Sequence, residues 1–141
     1  MMPERKIFQP VPPKSVCQAY ELLHRKGFVS FPLTGSAEGK VSAIVATITE
    51  SYFGKEIYET AEEKAVAYLY LLVKDHPFID GNKRTASLVF SMVCDINGLF
   101  PRFGNGYPTL DELAVFIEKV QEQDHQKVIR LIAKVLFGGQ K

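Results

Sequence analysis

Apolar residues recur at the spacing of an α-helix through most of this chain, and that period leaves little freedom in fold class. Val16, Ala19, Tyr20 and Leu23 start the pattern; Ser15 and Gln18 have capping-box spacing and Gly27 is a stop, which predicts a first helix near 15–26. Val41, Ile44, Val45, Ile48 and Tyr52 mark a second helix that ends at Gly54. Thr60 and Glu63 begin a third, through Ala65, Val66, Tyr68, Leu69, Leu72 and Val73, apolar on several faces as a central buried helix would be. A fourth runs through Leu88, Val89, Met92, Val93 and Ile96 to the stop at Asn97-Gly98. Thr109 and Glu112 cap a fifth through Leu113, Phe116, Ile117 and Val120, and Val128, Leu131, Ile132, Val135 and Leu136 mark a sixth. Residues 28–37 lose the period: Phe28, Val29, Phe31 and Leu33 mix with Ser30, Pro32, Thr34 and Gly35, which suits a short extended strand or hairpin. The expectation is an all-α bundle of about six helices carrying one short extended element.

A chain of 141 residues falls within the range of one domain. Residues 14–141 read as that domain, and 1–13, proline-bearing and of mixed charge, as an extended N-terminal segment or a junction. Lys and Arg number 17 against 16 Asp and Glu, a net charge of +1, so no global field draws nucleic acid or an anionic membrane. Any anion site must be local. Cys17 and Cys94 lie far apart and outside metal or thiol-redox spacings, which suits buried free thiols in a reducing cytoplasm. No apolar h-region opens the chain, and no stretch approaches the ~20 apolar residues of a membrane span.

The connection between the third and fourth helices is chemically unusual. Residues 75–85 place His76, Asp75, Asp80, Asn82, Lys83 and Arg84 between two hydrophobic helices. Gly81 and Asn82, at the mouth of the following helix, can adopt backbone angles that turn successive N–H groups inward, and the free N–H groups of a helix start add to them. Lys83 and Arg84 in a first helical turn meet the positive end of the helix dipole, a penalty of roughly 0.3–1 kcal/mol each that a bound phosphate reverses. A carboxylate such as Asp80 beside phosphates is where Mg²⁺ commonly docks. His76 carries the side chain most often used to take a proton near neutral pH, although a histidine at a helix end can also be satisfied by carbonyls alone.

His76-Pro77-Phe78-x-Asp80-Gly81-Asn82-x-Arg84 resembles the Fic signature His-x-Phe-x-[Asp/Glu]-Gly-Asn-Gly-Arg-x-x-Arg, and Lys83-Arg84-Thr85 is similar to the death-on-curing (Doc) branch of that family. Phe53-Gly54-x-Glu56-x-Tyr58 and Asn97-Gly98-Leu99 extend the resemblance over roughly residues 38–100. It implies a compact helical fold and an enzyme that moves a phosphoryl-containing group from ATP, with Mg²⁺, to a Ser, Thr or Tyr hydroxyl of a target protein. By the same resemblance His76 is the catalytic base, Phe78 the loop's anchor, and Asp80 the metal ligand. Gly81, Asn82, Lys83 and Arg84 bind nucleotide phosphates. Residues 28–37 stand where the family carries its flap, which aligns a target chain by strand addition. An antitoxin protein is an implied partner; direct binding of nucleic acid or membrane is not.

Two positions depart from the signature. The Gly between Asn and Arg is Lys83, and the second Arg is replaced by Ser87. Both changes alter a cradle suited to AMP transfer, and in the Doc branch the pattern accompanies phosphorylation, so kinase-like transfer ranks above adenylylation (AMPylation). A nucleotide- or partner-binding module with lapsed catalysis is a third reading. Thr34-x-x-x-Glu38-Gly39 matches a pattern by which some Fic proteins block their own nucleotide site, and Glu38 also suits an ordinary first-turn helix position. His24 and His125 read as surface or capping residues, and Tyr68, Tyr70, Phe90 and Phe116 as core aromatics.

Overall fold

The computed structural model describes residues 7–138, so residues 1–6 of the expected N-terminal segment lie outside the described residues. Among those described, six helices carry the fold: α1 Pro13–Arg25, α2 Gly35–Thr49, α3 Ala61–Lys74, α4 Asn82–Asn97, α5 Leu110–Lys119 and α6 His125–Phe137. The all-α expectation holds. None of the helices is long and apolar enough to cross a membrane.

α3 is the hub, packing against α2, α4, α5 and α6. Every residue from Lys64 to Val73 is buried, which explains why its apolar residues occupy several faces rather than one stripe. Tyr68 on this helix both accepts from the Val11 amide at 3.0 Å and donates to the Val11 carbonyl at 2.8 Å, fastening the segment before α1 to the core. Lys64, only 5% exposed, makes its burial tolerable through an ion pair with Glu56 at 2.7 Å and a bond to the Tyr58 carbonyl at 2.7 Å.

Three local expectations need correction. α1 begins at Pro13, two residues before Ser15, and its N-cap is Pro12 with no side-chain cap. The ring's fixed φ suits the first helical position, so the helix starts there and Ser15 has no capping task. α2 stops at Thr49 rather than Gly54, and a minimal antiparallel hairpin follows, β1 Ser51–Tyr52 paired with β2 Lys55–Glu56. Its turn residues Phe53 and Gly54 have φ of 52° and 79°, the left-handed pair that a two-residue hairpin favours. Residues 28–34, expected as the extended strand or flap, form no strand; 35–37 already belong to α2, whose N-cap is Thr34. Thr34 Oγ1 accepts the Ala37 amide at 3.3 Å, so the hydroxyl ends the extended stretch by starting a helix.

Candidate active site

The chain enters the 75–82 connection through Asp75, the C-cap of α3, and then His76, whose φ of 47° is left-handed. That angle is uncommon for a residue with a Cβ and turns the backbone sharply off the helix. Pro77 and Phe78 are buried while His76, Ile79 and Asp80 face solvent, so the loop has an apolar keel beneath exposed chemical groups. Phe78 stacks on Tyr20 of α1, ring centroids 4.3 Å apart and planes within 10°.

Asn82 closes the loop on itself. Its Oδ1 accepts the Phe78 amide at 2.9 Å and its Nδ2 donates to the Phe78 carbonyl at 2.8 Å. The same Nδ2 stands 3.4 Å from His76 Nδ1, too far to lock the imidazole tautomer. The Asn82 side chain is therefore consumed as a brace, and what it offers an anion is its backbone N–H.

Gly81 has φ of 75° and is the N-cap of α4. α2, α3, α5 and α6 each begin with a Thr or Asp side chain accepting an amide, whereas α4 has no side-chain cap. Its first N–H groups point out of the helix start beside Lys83 and Arg84, the arrangement an oxyanion would complete. A Cβ on Gly81 would lie 2.1 Å from Val29 Cγ1, so the 26–34 connection is pressed directly onto this turn.

The cationic side chains have defined partners. Lys83 Nζ pairs with Glu118 of α5 at 3.0 Å. The bond from Lys83 holds the Glu118 carboxyl below its usual range, with His76 adding to the effect. Arg84 lies over the Phe28 ring, 5.4 Å from its centroid. A cavity of about 450 Å³ opens here, lined by Lys83, Arg84, Ser87 and Asp111 together with the apolar Leu23, Phe28, Ala114 and Val115. A cavity of this size and mixed lining has room for a flat apolar ring beside an anion.

Asp80 is exposed, and its charge reaches Tyr20, whose phenol is pushed up first by burial and then by that carboxylate. No group of three or more His, Cys, Asp or Glu side chains gathers among the described residues. A lone carboxylate suits a cation that keeps water and phosphate oxygens as most of its ligands, as Mg²⁺ does. Glu38 sits exposed in the first turn of α2, and among the described residues none of the ion pairs joins it to Arg84. His24 lies in the last turn of α1. His125 is half-buried rather than superficial, tilted against Tyr70 with centroids 5.2 Å apart, and its charge and that of His76 oppose the burial that raises Asp75.

The structure thus brings His76, Asn82 and Lys83 together with Glu118, and Arg84 together with Phe28. Glu118, Tyr20 and Val29 were not foreseen. Tyr20 was legible only as a core position of α1, and Glu118 carries no local signal because its partner lies 35 residues away.

The sequence model described as the Fic/DOC family matches residues 7–94 of this chain. A toxin named Doc from Mycolicibacterium smegmatis is 36% identical over 61 residues, which are 43% of this chain and 47% of that protein. The aligned part thus spans about half the length of that relative. No solved structure matches.

Proposed function

The chain belongs to the Fic/DOC family, and on that premise we propose that it transfers the γ-phosphoryl group of ATP to a Ser, Thr or Tyr hydroxyl of a target protein. The observation that carries this reading is the uncapped start of α4, flanked by Lys83 and Arg84 and built directly onto the His76 loop. An anion cradle and an exposed imidazole then share one ten-residue segment, as in-line phosphoryl transfer requires.

In this reading the amides of the Gly81–Arg84 turn bind phosphate oxygens, and Arg84 supplies charge-assisted donors. Asp80 would hold Mg²⁺, which when bound supplies charge neutralisation across the phosphates. The acceptor oxygen forms a bond to the γ-phosphorus as the bond from phosphorus to the β,γ-bridging oxygen breaks; His76 takes the hydroxyl proton and ADP leaves. Lys83, in place of glycine, and Ser87, in place of a second arginine, favour phosphoryl over AMP transfer, since they add charge at one end of the cradle and remove it at the other. The similarity to a protein named as a toxin supports a role as the toxin half of a toxin–antitoxin pair, acting in the cytoplasm where ATP is available.

The test is a cell lysate incubated with the protein and either γ-³²P-ATP or α-³²P-ATP. We expect label on protein from the γ position alone, and a His76→Ala variant that keeps nucleotide binding while losing transfer. Label from the α position would replace this reading with adenylylation. Undiminished transfer by His76→Ala would remove the histidine from the mechanism.

A further inference from the structure

The 28–34 segment forms no strand, yet it touches the 76–85 loop at two points and is joined to it at a third through Tyr20 of α1. The Phe28 ring lies under the Arg84 guanidinium at 5.4 Å. Val29, 3% exposed, fills the space above Gly81 that a Cβ would need. The Phe31 carbonyl accepts the Tyr20 hydroxyl at 2.5 Å, and the same Tyr20 ring stacks on Phe78. Tyr20 is 1% exposed and anchored in α1, so one rigid side chain grips the segment with its oxygen and the loop with its face. Phe28 and Phe31 themselves stand 55% and 47% exposed, large apolar groups held at the surface.

We propose that Tyr20 is a positioning residue that couples the 28–34 segment to the 76–85 loop, so that nucleotide held by the loop fixes the segment against which the acceptor chain lies. The proposal rests on the phosphoryl-transfer reading above. Its physical basis is that the segment has no strand partner to hold it in place. The Phe28 amide is held by the Leu23 carbonyl at 2.9 Å, and beyond it the segment rests on side-chain contacts, to which Tyr20 adds a hydrogen bond from its hydroxyl while its ring stays stacked on the loop. Because such coupling is reciprocal, ordering the loop orders the segment.

Tyr20→Phe separates the two grips, since the phenyl ring keeps the stack on Phe78 and loses the bond to Phe31. Hydrogen exchange on the full chain, with and without Mg-ATP, reads the coupling. In the unsubstituted protein Mg-ATP should slow exchange in both 77–84 and 28–34. In Tyr20→Phe, protection of 77–84 should persist while that of 28–34 falls by roughly three- to tenfold, the range for one lost hydrogen bond. Calorimetric affinity for Mg-ATP should stay within about twofold, on the same loss of one bond remote from the phosphates, while label transferred to lysate protein drops. Tyr20→Leu removes the stack as well and should weaken Mg-ATP binding too. Equal protection of 28–34 in the unsubstituted and Phe proteins overturns the coupling alone. Parallel loss of Mg-ATP affinity and transfer in Tyr20→Phe reduces Tyr20 to a structural residue and also overturns it. Protection of neither segment in the unsubstituted protein overturns the nucleotide reading and the coupling with it.

Discussion

Gly81 is held in place by two independent constraints, each of which disfavours a residue with a Cβ. Its φ of 75° costs an L-residue about 1–2 kcal/mol. Its missing Cβ leaves room for Val29 Cγ1, which would otherwise sit 2.1 Å away. Val29 is buried and cannot swing into solvent without opening a void beneath the segment. Gly81→Ala should therefore lower stability by at least ~2 kcal/mol, combining backbone strain and overpacking. Urea denaturation measures this as a lower midpoint at unchanged slope, and an unshifted midpoint would show that the turn relaxes freely. Much of the site was readable at this scale, because a Gly-Asn pair after a histidine and an aspartate announces a turn with exposed amides. The sequence assigns the Asn82 backbone to anion binding and is silent on its side chain, which the three-dimensional structure shows spent on Phe78. Glu118 and Tyr20 escaped for a similar reason, since a carboxylate late in one helix and a tyrosine inside another have meaning only through what lies across from them.

Elements were legible where a local signal sets them and obscure where packing does. Thr60 before α3 and Thr109 before α5 both accept the amide three residues on, at 3.0 and 3.1 Å, as their spacing implied. The reciprocal half differs: Glu112 accepts from the Thr109 amide, whereas Glu63 reaches past Thr60 to the Glu59 amide. Thr60→Ala should cost about 1 kcal/mol, the usual worth of such a cap. Because α3 contacts four other helices, the loss should appear in global unfolding rather than as fraying confined to one end. A thermal midpoint left unchanged, with faster exchange in 61–64 alone, would contradict this. The two extended stretches show why strands were harder. Residues 28–34 have strand-like composition but no neighbouring strand, so their alternation is used to bury Val29 and expose Phe28 and Phe31. The true hairpin is too short for any period to register, and Gly54, read as a helix stop, is instead the second residue of its turn.

At the scale of the whole molecule, the two thiols report whether the helices open together. Cys17 in α1 is 6% exposed and Cys94 in α4 is 4% exposed. Burial pushes both thiols up, Cys94 to about 12 with the Asp95 charge adding, and Cys17 with help from Glu38 and Glu21. Burial thus both shields the two thiols from reagent and disfavours their thiolates while the native packing stands. Labelling by a disulfide reagent must then wait for opening, and its rate at low reagent concentration measures the population of the open form. We propose that residues 14–138 form one cooperative domain. α1 contacts α2 and α4, while α4 contacts α1, α3 and α5, so neither thiol sits on a detachable layer. Cys17→Ala and Cys94→Ala variants each leave one thiol to follow. If the domain opens as a unit, the two remaining thiols label at rates within about threefold of each other, and urea lowers both protections in parallel. Labelling of Cys17 more than tenfold faster than that of Cys94, about 1.4 kcal/mol in opening free energy, would mean that α1 leaves the bundle before α4 does. That outcome would matter for the site as well, because Tyr20 departs with α1, taking away the ring on which Phe78 and the loop above it rest.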